Sequence, residues 1–364
     1  MRLREIIDVI EKFAPGKLQE SYDNSGIQVG NPNNEISATL ICIDITEEVF
    51  EEAIRKNCNL IISHHPLIFS GLKSIAGRNS VEKIIIKAIK ADINILSIHT
   101  NLDSAEKGVS NKLAEKIGLK NIRTLSPLKN QLQKLVFFIP IDNAENVRAA
   151  IFKAGAGHIG NYDSCSFNMQ GKGTFRGLSG SKPFVGKSGS LHVEDEIRVE
   201  TIVPEYLMGE VVRALLESHP YEEVAYDIYS LVNTNKNLGM GAIGELEQKI
   251  ETEKFLSDLK SLLGTTNIRI TKKVKEKINK VAVCGGSGSF LLKEAIKQGA
   301  DVFISGDFKY HQFFEAENKI VIADIGHFES EQFTKEIIYD LLINNFPKFA
   351  VHLSEINTNP IINF

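Results

Sequence analysis

Cysteine is scarce in this chain: four in 364 residues, Cys42, Cys58, Cys165 and Cys284, with no Cys-x-x-Cys pair. That spacing argues against a disulfide framework and against a thiolate zinc site. Scattered thiols in apolar surroundings fit a reducing cytosol, so a cytoplasmic location is expected. Long runs of lysine and arginine are also missing, and the net charge is −4. A dedicated nucleic-acid binder clusters its cations against phosphates, so such a partner is not expected, although a local basic funnel stays open. No run of roughly 18 uncharged apolar residues occurs, so no membrane span is expected. The start, Met1-Arg2-Leu3-Arg4-Glu5-Ile6-Ile7, alternates charged and apolar residues at helical spacing and lacks the continuous apolar core of a signal peptide. Hydrophobic content of 43% and charged content of 24% give an ordinary globular balance. The length exceeds one ordinary core, so two or three domains are expected.

What the chain does contain is histidine and carboxylate at the ends of apolar runs. His64 and His65 close Leu60-Ile61-Ile62-Ser63 and are followed by Pro66, which lacks the backbone donor a strand ladder needs. His99-Thr100-Asn101-Leu102-Asp103 follows a second apolar run. Gly326-His327-Phe328-Glu329-Ser330-Glu331 lies far downstream, with His327 and Glu331 four apart at the start of a helical pattern and therefore on one face. A single fragment of this kind is more often an ordinary surface feature. All three, however, fall at the carboxyl end of a strand or the start of the next helix, the edge where open α/β sheets bind their ligands.

The periodicity predicts an α/β fold. A helix is expected over residues 3–13, with a buried strand at 38–44. Thr46 is expected to cap a helix to about Asn57. A strand at 59–63, a helix capped by Ser80, a strand at 93–98 and a helix over about 104–117 ending at Gly118 follow. Alternating strands and helices imply a mostly parallel sheet. From about residue 131 the texture changes. Strands near 135–140, 162–169, 195–203 and 222–232, with helices at 144–153 and from Pro204 to about Ser218, give the order β-α-β-β-α-β of a ferredoxin-like unit. Residues 233–244, polar and glycine-rich, read as a return linker. Strands at 268–270, 281–284, 301–305 and 320–324 follow, with a turn at 285–289, a helix at 290–297 and a last helix over about 329–344. Candidate ligands lie on both sides of the middle segment. The expected organisation is therefore an N-terminal α/β lobe at 1–130, an inserted domain at 131–233 and a C-terminal lobe at 234–364 that completes a metal site shared by the two lobes.

His64, His65 and His327 with Asp103 and Glu331 make three imidazoles and two carboxylates. Five ligands exceed the three of a catalytic mononuclear zinc site, so two ions bridged by a carboxylate and water is the simplest count. Water on such a pair has a lowered pKa and can attack carbon or phosphorus. The ligand set suits zinc first, with iron or manganese as alternatives. His99 and His311 are the candidates for general acid or base, or for orienting a ligand; an ordinary helix-surface histidine is the competing reading for His311. Asp307 is equally a helix cap or a catalytic group, and Lys309 could bind phosphate, although a solvated lysine is far commoner. Gly285-Gly286-Ser287-Gly288-Ser289 could cradle phosphate or simply form a tight turn; it lacks the P-loop ending and the full dinucleotide spacing. Tyr22-Asp23-Asn24-Ser25-Gly26 reads as a turn.

These segments resemble the Nif-three-like family, whose members carry the name GTP cyclohydrolase I type 2. The resemblance rests on Tyr22-Asp23-Asn24-Ser25-Gly26-Ile27-Gln28-Val29-Gly30, Ser63-His64-His65-Pro66-Leu67-Ile68-Phe69 and His99-Thr100-Asn101-Leu102-Asp103. It continues in Ser305-Gly306-Asp307-Phe308-Lys309-Tyr310-His311 and Gly326-His327-Phe328-Glu329-Ser330-Glu331. The middle segment is similar to the PII-like or CutA-like insert of longer bacterial members. The resemblance implies two divalent ions per chain at His64, His65, Asp103, His327 and Glu331, and a toroidal homohexamer whose sites face an enclosed cavity. The activity it implies is opening of the guanine imidazole ring of GTP, with His99 or His311 moving protons and formate leaving. The alternatives are a regulatory or metal-handling hexamer, and a two-metal phosphoesterase on nucleotides or nucleic-acid ends.

Overall fold

The computed structural model describes residues 1–362. Three short strands, Ala38–Cys42, Leu60–Ser63 and Asn94–Ser97, are buried at every position. Strands covered on both faces have no polar alternation, which is how parallel strands in layered α/β folds read. They pair in parallel, join a parallel strand Ala350–Leu353 at one edge and an antiparallel strand Gly26–Val29 at the other, and form one five-stranded sheet. Helix Leu3–Phe13 buries Leu3, Ile6 and Ile10. Helix Glu47–Arg55 is capped by Thr46, whose Oγ1 accepts the Val49 N–H at 3.3 Å. The cap of helix Ser80–Lys90 is Asn79 rather than Ser80, since Asn79 Oδ1 takes the Glu82 N–H at 2.9 Å. Of the expected helix over 104–117 only Val109–Ile117 is helical, and a separate short helix, Thr100–Asp103, precedes it. Gly108 sits between them, and a Cβ there would lie 1.9 Å from the Leu102 carbonyl oxygen.

The second sheet runs Arg269–Ile270, Val321–Asp324, Val302–Gly306, Lys277–Ser287, Gly239–Glu251 and Lys120–Pro127. Its three middle pairings include two parallel ones, and its margins are antiparallel. Several expectations give way here. The segment read as a linker instead begins the strand Gly239–Glu251, and the helix Thr252–Leu263 that follows went unread. Glycines at 239, 241 and 244 hide the strand pattern; Gly241 has φ +70° and abuts Leu291 and Leu125. Gly285, Gly286 and Ser287 continue the strand Lys277–Ser287, with an irregular register between Val283 and Ser287, rather than forming a turn. The last helix is split into His327–Glu331 and Thr334–Asn345.

Two compact units result: Met1–Pro127 together with the chain from Lys236 onward, and Leu128–Asn235. Within the second, helices Ala144–Lys153 and Met208–Ser218 pack on an antiparallel four-stranded sheet ordered Ser166–Arg176, Leu191–Pro204, Leu132–Pro140, Tyr226–Leu231. Phe137, Ile151, Val199 and Leu215 are among its core. The two central-hairpin strands run further than their hydrophobic pattern suggests, because residues 170–175 are largely exposed and pair out to Arg176 opposite Leu191.

Candidate metal centre

Strand geometry delivers the histidines. Beyond Ser63, the His64 and His65 N–H groups donate to the Cys42 and Ile43 carbonyls at 3.2 and 3.0 Å, so both imidazoles are fixed at the sheet edge. His99 follows the neighbouring strand, and Asp103 ends the short helix after it. From the other sheet, helix His327–Glu331 begins three residues past Asp324, the end of strand Val321–Asp324, and sets His327 Nε2 at 3.1 Å from Glu331 Oε2.

In each of four histidines, Nδ1 is tied down. His64 Nδ1 donates to the Ile98 carbonyl at 2.9 Å, and those of His65, His99 and His327 reach Asp44, Asp23 and Asp307 at 2.7, 2.8 and 2.6 Å. Bonding at Nδ1 leaves Nε2 as the free nitrogen and orients the ring, the arrangement common to metal-binding imidazoles. The three aspartates are the residues that sequence reasoning did not assign. Their partners lie 20 or more positions away in the chain, and no local pattern connects them.

Glu331 and His64 are 3% and 0% exposed. A buried ionisable group without compensating partners is costly. Yet His64 Nε2, Asp103 Oδ1 and Glu331 Oε2 have no hydrogen-bond partner among the described residues. His64 Nε2 stands 3.8 Å from Asp103 Oδ1 and 3.7 Å from Glu331 Oε1. Glu331 Oε2 lies 3.0 Å from His65 Nε2 but off hydrogen-bond geometry, and the His65 and His327 Nε2 atoms are 3.3 Å apart. Two ligands at ~2.05 Å from a tetrahedral ion stand about 3.3 Å apart. The orphaned atoms therefore have the chemistry and the spacing of a metal site. Three groups converge closely enough to hold an ion: His64, His65 and His99; His65, His327 and Glu331; and His64, Asp103 and Glu331. Gly286 makes room, since a Cβ there would lie 2.3 Å from Glu331 Oε1.

The electrostatics follow from that crowding. Burial works against a charged His65, but Asp44 and Glu331 outweigh it and raise its pKa to about 10. His327 is raised to about 9 against the same burial, by Glu331 and Asp307. Burial pushes Asp103 up, whereas the surrounding histidines hold Glu331 well below the usual carboxylate range despite its burial. His99 goes the other way: burial and the neighbouring His64 lower it, with Asp23 opposing.

A cavity of about 460 Å³ opens on these groups, with Tyr22, Phe69, His99 and Phe290 in its wall. His311 is not brought to it. It is exposed on the 3₁₀ segment Tyr310–Ala316, its ring 5.1 Å from Tyr310 and 6.4 Å from Phe314. Asp307 orients His327, and Lys309 is exposed. The Gly285–Gly288 stretch packs beside Glu331 and accepts support from Ser330 and Ser305, whose Oγ atoms take the Gly286 and Gly288 N–H groups.

The family model for Duf34/NIF3 (NGG1p interacting factor 3) matches residues 1–360. A Halalkalibacterium halodurans protein named GTP cyclohydrolase 1 type 2 homolog is 40% identical over 360 residues, covering 98% of this chain and 97% of its own. The Bacillus subtilis protein of the same name is 38% identical over 363 residues, covering 98% and 97%. A Bacillus cereus structure described as related to NIF3 superposes with TM-score 0.88 at 39% identity, covering 100% of this chain and 99% of that one. With the match running from the first residues through the His327–Glu331 helix, this chain belongs to the Duf34/NIF3 family.

Proposed function

We propose that this chain is a metal-dependent hydrolase that binds two divalent ions. The observation that carries the reading is the Glu331 carboxylate: Oε1 faces His64, beside Asp103, and Oε2 faces His65 and His327. One ion would be held by His64, Asp103 and Glu331, the second by His65, His327 and Glu331, zinc being the first choice and iron or manganese the alternatives. Such a pair, when bound, acidifies water and polarises the bond under attack.

The chain's own groups do the rest. Asp44 and Asp307 fix the planes of His65 and His327. His99 is the proton carrier in this reading. Asp23 holds its Nδ1, its ring centroid lies 5.3 Å from those of His64 and His65, and its lowered pKa keeps Nε2 free to accept a proton. Asp23, itself lowered to about 2 by Thr100 and His99 against burial, then stabilises the imidazolium. His99 takes this role over His311, which stands outside the cluster. Phe69 and Phe290 supply apolar wall that would exclude bulk water.

The substrate proposed is GTP, opened at its imidazole ring with release of formate, following the name its relatives carry. The proposed assembly is a toroidal homohexamer of chains with lobes 1–130 and 234–364 and a ferredoxin-like insert at 131–233. The test incubates zinc-, manganese- and iron-loaded protein with GTP and measures formate. Formate release that disappears in Glu331→Gln and in a His99→Ala protein retaining its metal is the expected result. Phosphate release without formate would replace this reading with a phosphoesterase, and neither product would leave a metal-handling assembly.

A further inference from the structure

The unit Leu128–Asn235 contains a cavity of its own, about 730 Å³, lined by Phe138, Phe175, Phe184 and Tyr221 among others. Its size lies within the range of small-molecule sites, and its aromatic lining is typical of them. The aromatic rings form a chain: Phe175 and Tyr221 have centroids 6.0 Å apart, and Phe184 and Tyr221 6.3 Å. Three carboxylates line the cavity, Glu196, Glu222 and Glu223, and of these Glu196 is the buried one while Glu222 and Glu223 are exposed. Glu196, on strand Leu191–Pro204, is only 8% exposed. Its Oε1 accepts the Tyr221 O–H at 2.8 Å, while Oε2 has no partner among the described residues.

Two of the three cations in the lining are engaged elsewhere. Lys172 pairs with Asp195 at 2.8 Å, and Arg198 with Glu200 at 3.0 Å. Arg176, the remaining cation in the lining, makes no ion pair with Glu196 among the described residues. Gly173 keeps Oε2 approachable, since a Cβ at that position would sit 2.1 Å from it. Tyr221 stays a donor, because burial and the Glu196 carboxylate raise its pKa. An enclosed carboxylate with one neutral partner on Oε1, and Oε2 left to the cavity, favours a cationic or multiple-donor group there. Aromatic faces around it add cation–π attraction for the same kind of group.

We infer that this cavity is a binding site for a small organic cation, a protonated amine or amidine carried on a flat apolar body, with Glu196 as its counter-ion and Phe175, Phe184 and Tyr221 as its walls. The site is independent of the histidine cluster and does not depend on the hydrolase reading.

The experiment titrates metal-loaded full-length protein with benzamidine and phenethylamine, and in parallel with phenylacetate and benzyl alcohol, by ligand-observed NMR and calorimetry near neutral pH. Both cations are expected to bind, the anion not to, and the neutral alcohol more weakly. Glu196→Gln keeps the Tyr221 hydrogen bond and removes the charge, so it should weaken the cations tenfold or more while the metal content stays unchanged. Gly173→Ala, which places a methyl against Oε2 without changing any charge, should weaken them as well. Equal binding of phenylacetate, unchanged cation affinity in the folded variants, or no binding of either cation at millimolar concentration would overturn the assignment. Should Glu196→Gln fail to fold, the Gly173→Ala result decides.

Discussion

Four imidazoles present the same nitrogen to one another because each has its Nδ1 occupied, three by aspartate and one by a backbone carbonyl. Asp44→Asn or Asp307→Asn should therefore loosen the metal without removing a ligand. An affinity loss on the order of 10–100-fold is expected, with competition against a chelator as the measurement. Proton linkage supplies a second test. His65 at about 10 and His327 at about 9 lie above the ~6.5 of an unfolded histidine. A raised folded pKa stabilises fully below about pH 6.5 and is lost as the pH rises through about 9 to 10. Metal-free protein should thus become less stable to urea across that window, while the loaded protein should not share the loss, its two histidines being deprotonated by the ion. The same protons must leave on binding, so apparent metal affinity should fall as the pH is lowered from 8 to 6, and calorimetry in buffers of different ionisation enthalpy should count protons released. Flat stability and no proton release would rule this account out.

At the level of elements, the strand Lys277–Ser287 does more than support the sheet. Gly286, with φ +59°, lies so near Glu331 that any side chain would strike Oε1. Gly286→Ala should cost roughly 1–2 kcal/mol from the left-handed backbone alone and should also displace the carboxylate, so metal analysis should show loss of at least one ion. Asn79→Ala is the matching control. It removes the cap of helix Ser80–Lys90, which carries none of the candidate ligands or the aspartates that orient them, and should cost about 1 kcal/mol in urea titration with metal content intact. Equal metal loss in the two variants would mean that general destabilisation, rather than the glycine's position, governs the site. The element pattern also explains which segments were legible. Val, Ile and Leu runs such as Leu60–Ser63 declare buried strands, whereas the first residues of Gly239–Glu251 are broken by glycines and share the texture of the linker expected over 233–244, and the 3₁₀ and short helical pieces carry no period long enough to recognise.

Across the whole molecule, chain order and sheet order diverge. Lys120–Pro127, from the N-terminal segment, lies in the sheet built mainly by residues after 238, and Ala350–Leu353 returns to pair with Ala38–Cys42. Pairing of Gly239 directly opposite Pro127 brings the two ends of the intervening segment to adjacent strands. A short turn joining Pro127 to Gly239 should therefore replace residues 128–238, since antiparallel neighbours need only two to five connecting residues, as a rough rule. The shortened chain is expected to fold and to keep its metal, as elemental analysis and circular dichroism would show. Failure across several turn designs would mean that the unit Leu128–Asn235 is needed for the fold.

The candidate cluster was legible because each pair within it is local: His64 with His65, His99 near Asp103, His327 with Glu331, all placed by a strand end or a single helical turn. Tertiary structure alone decided the rest. It chose which aspartate holds which imidazole, left His311 on the surface, aimed the two oxygens of Glu331 at different histidines and enclosed Glu196 among aromatic rings. It also gave one residue type opposite ionisation, His65 raised and His99 lowered. The sequence specifies an imidazole at each position, but burial and the distance to the nearest carboxylate set its charge, and both quantities exist only once distant segments have packed together.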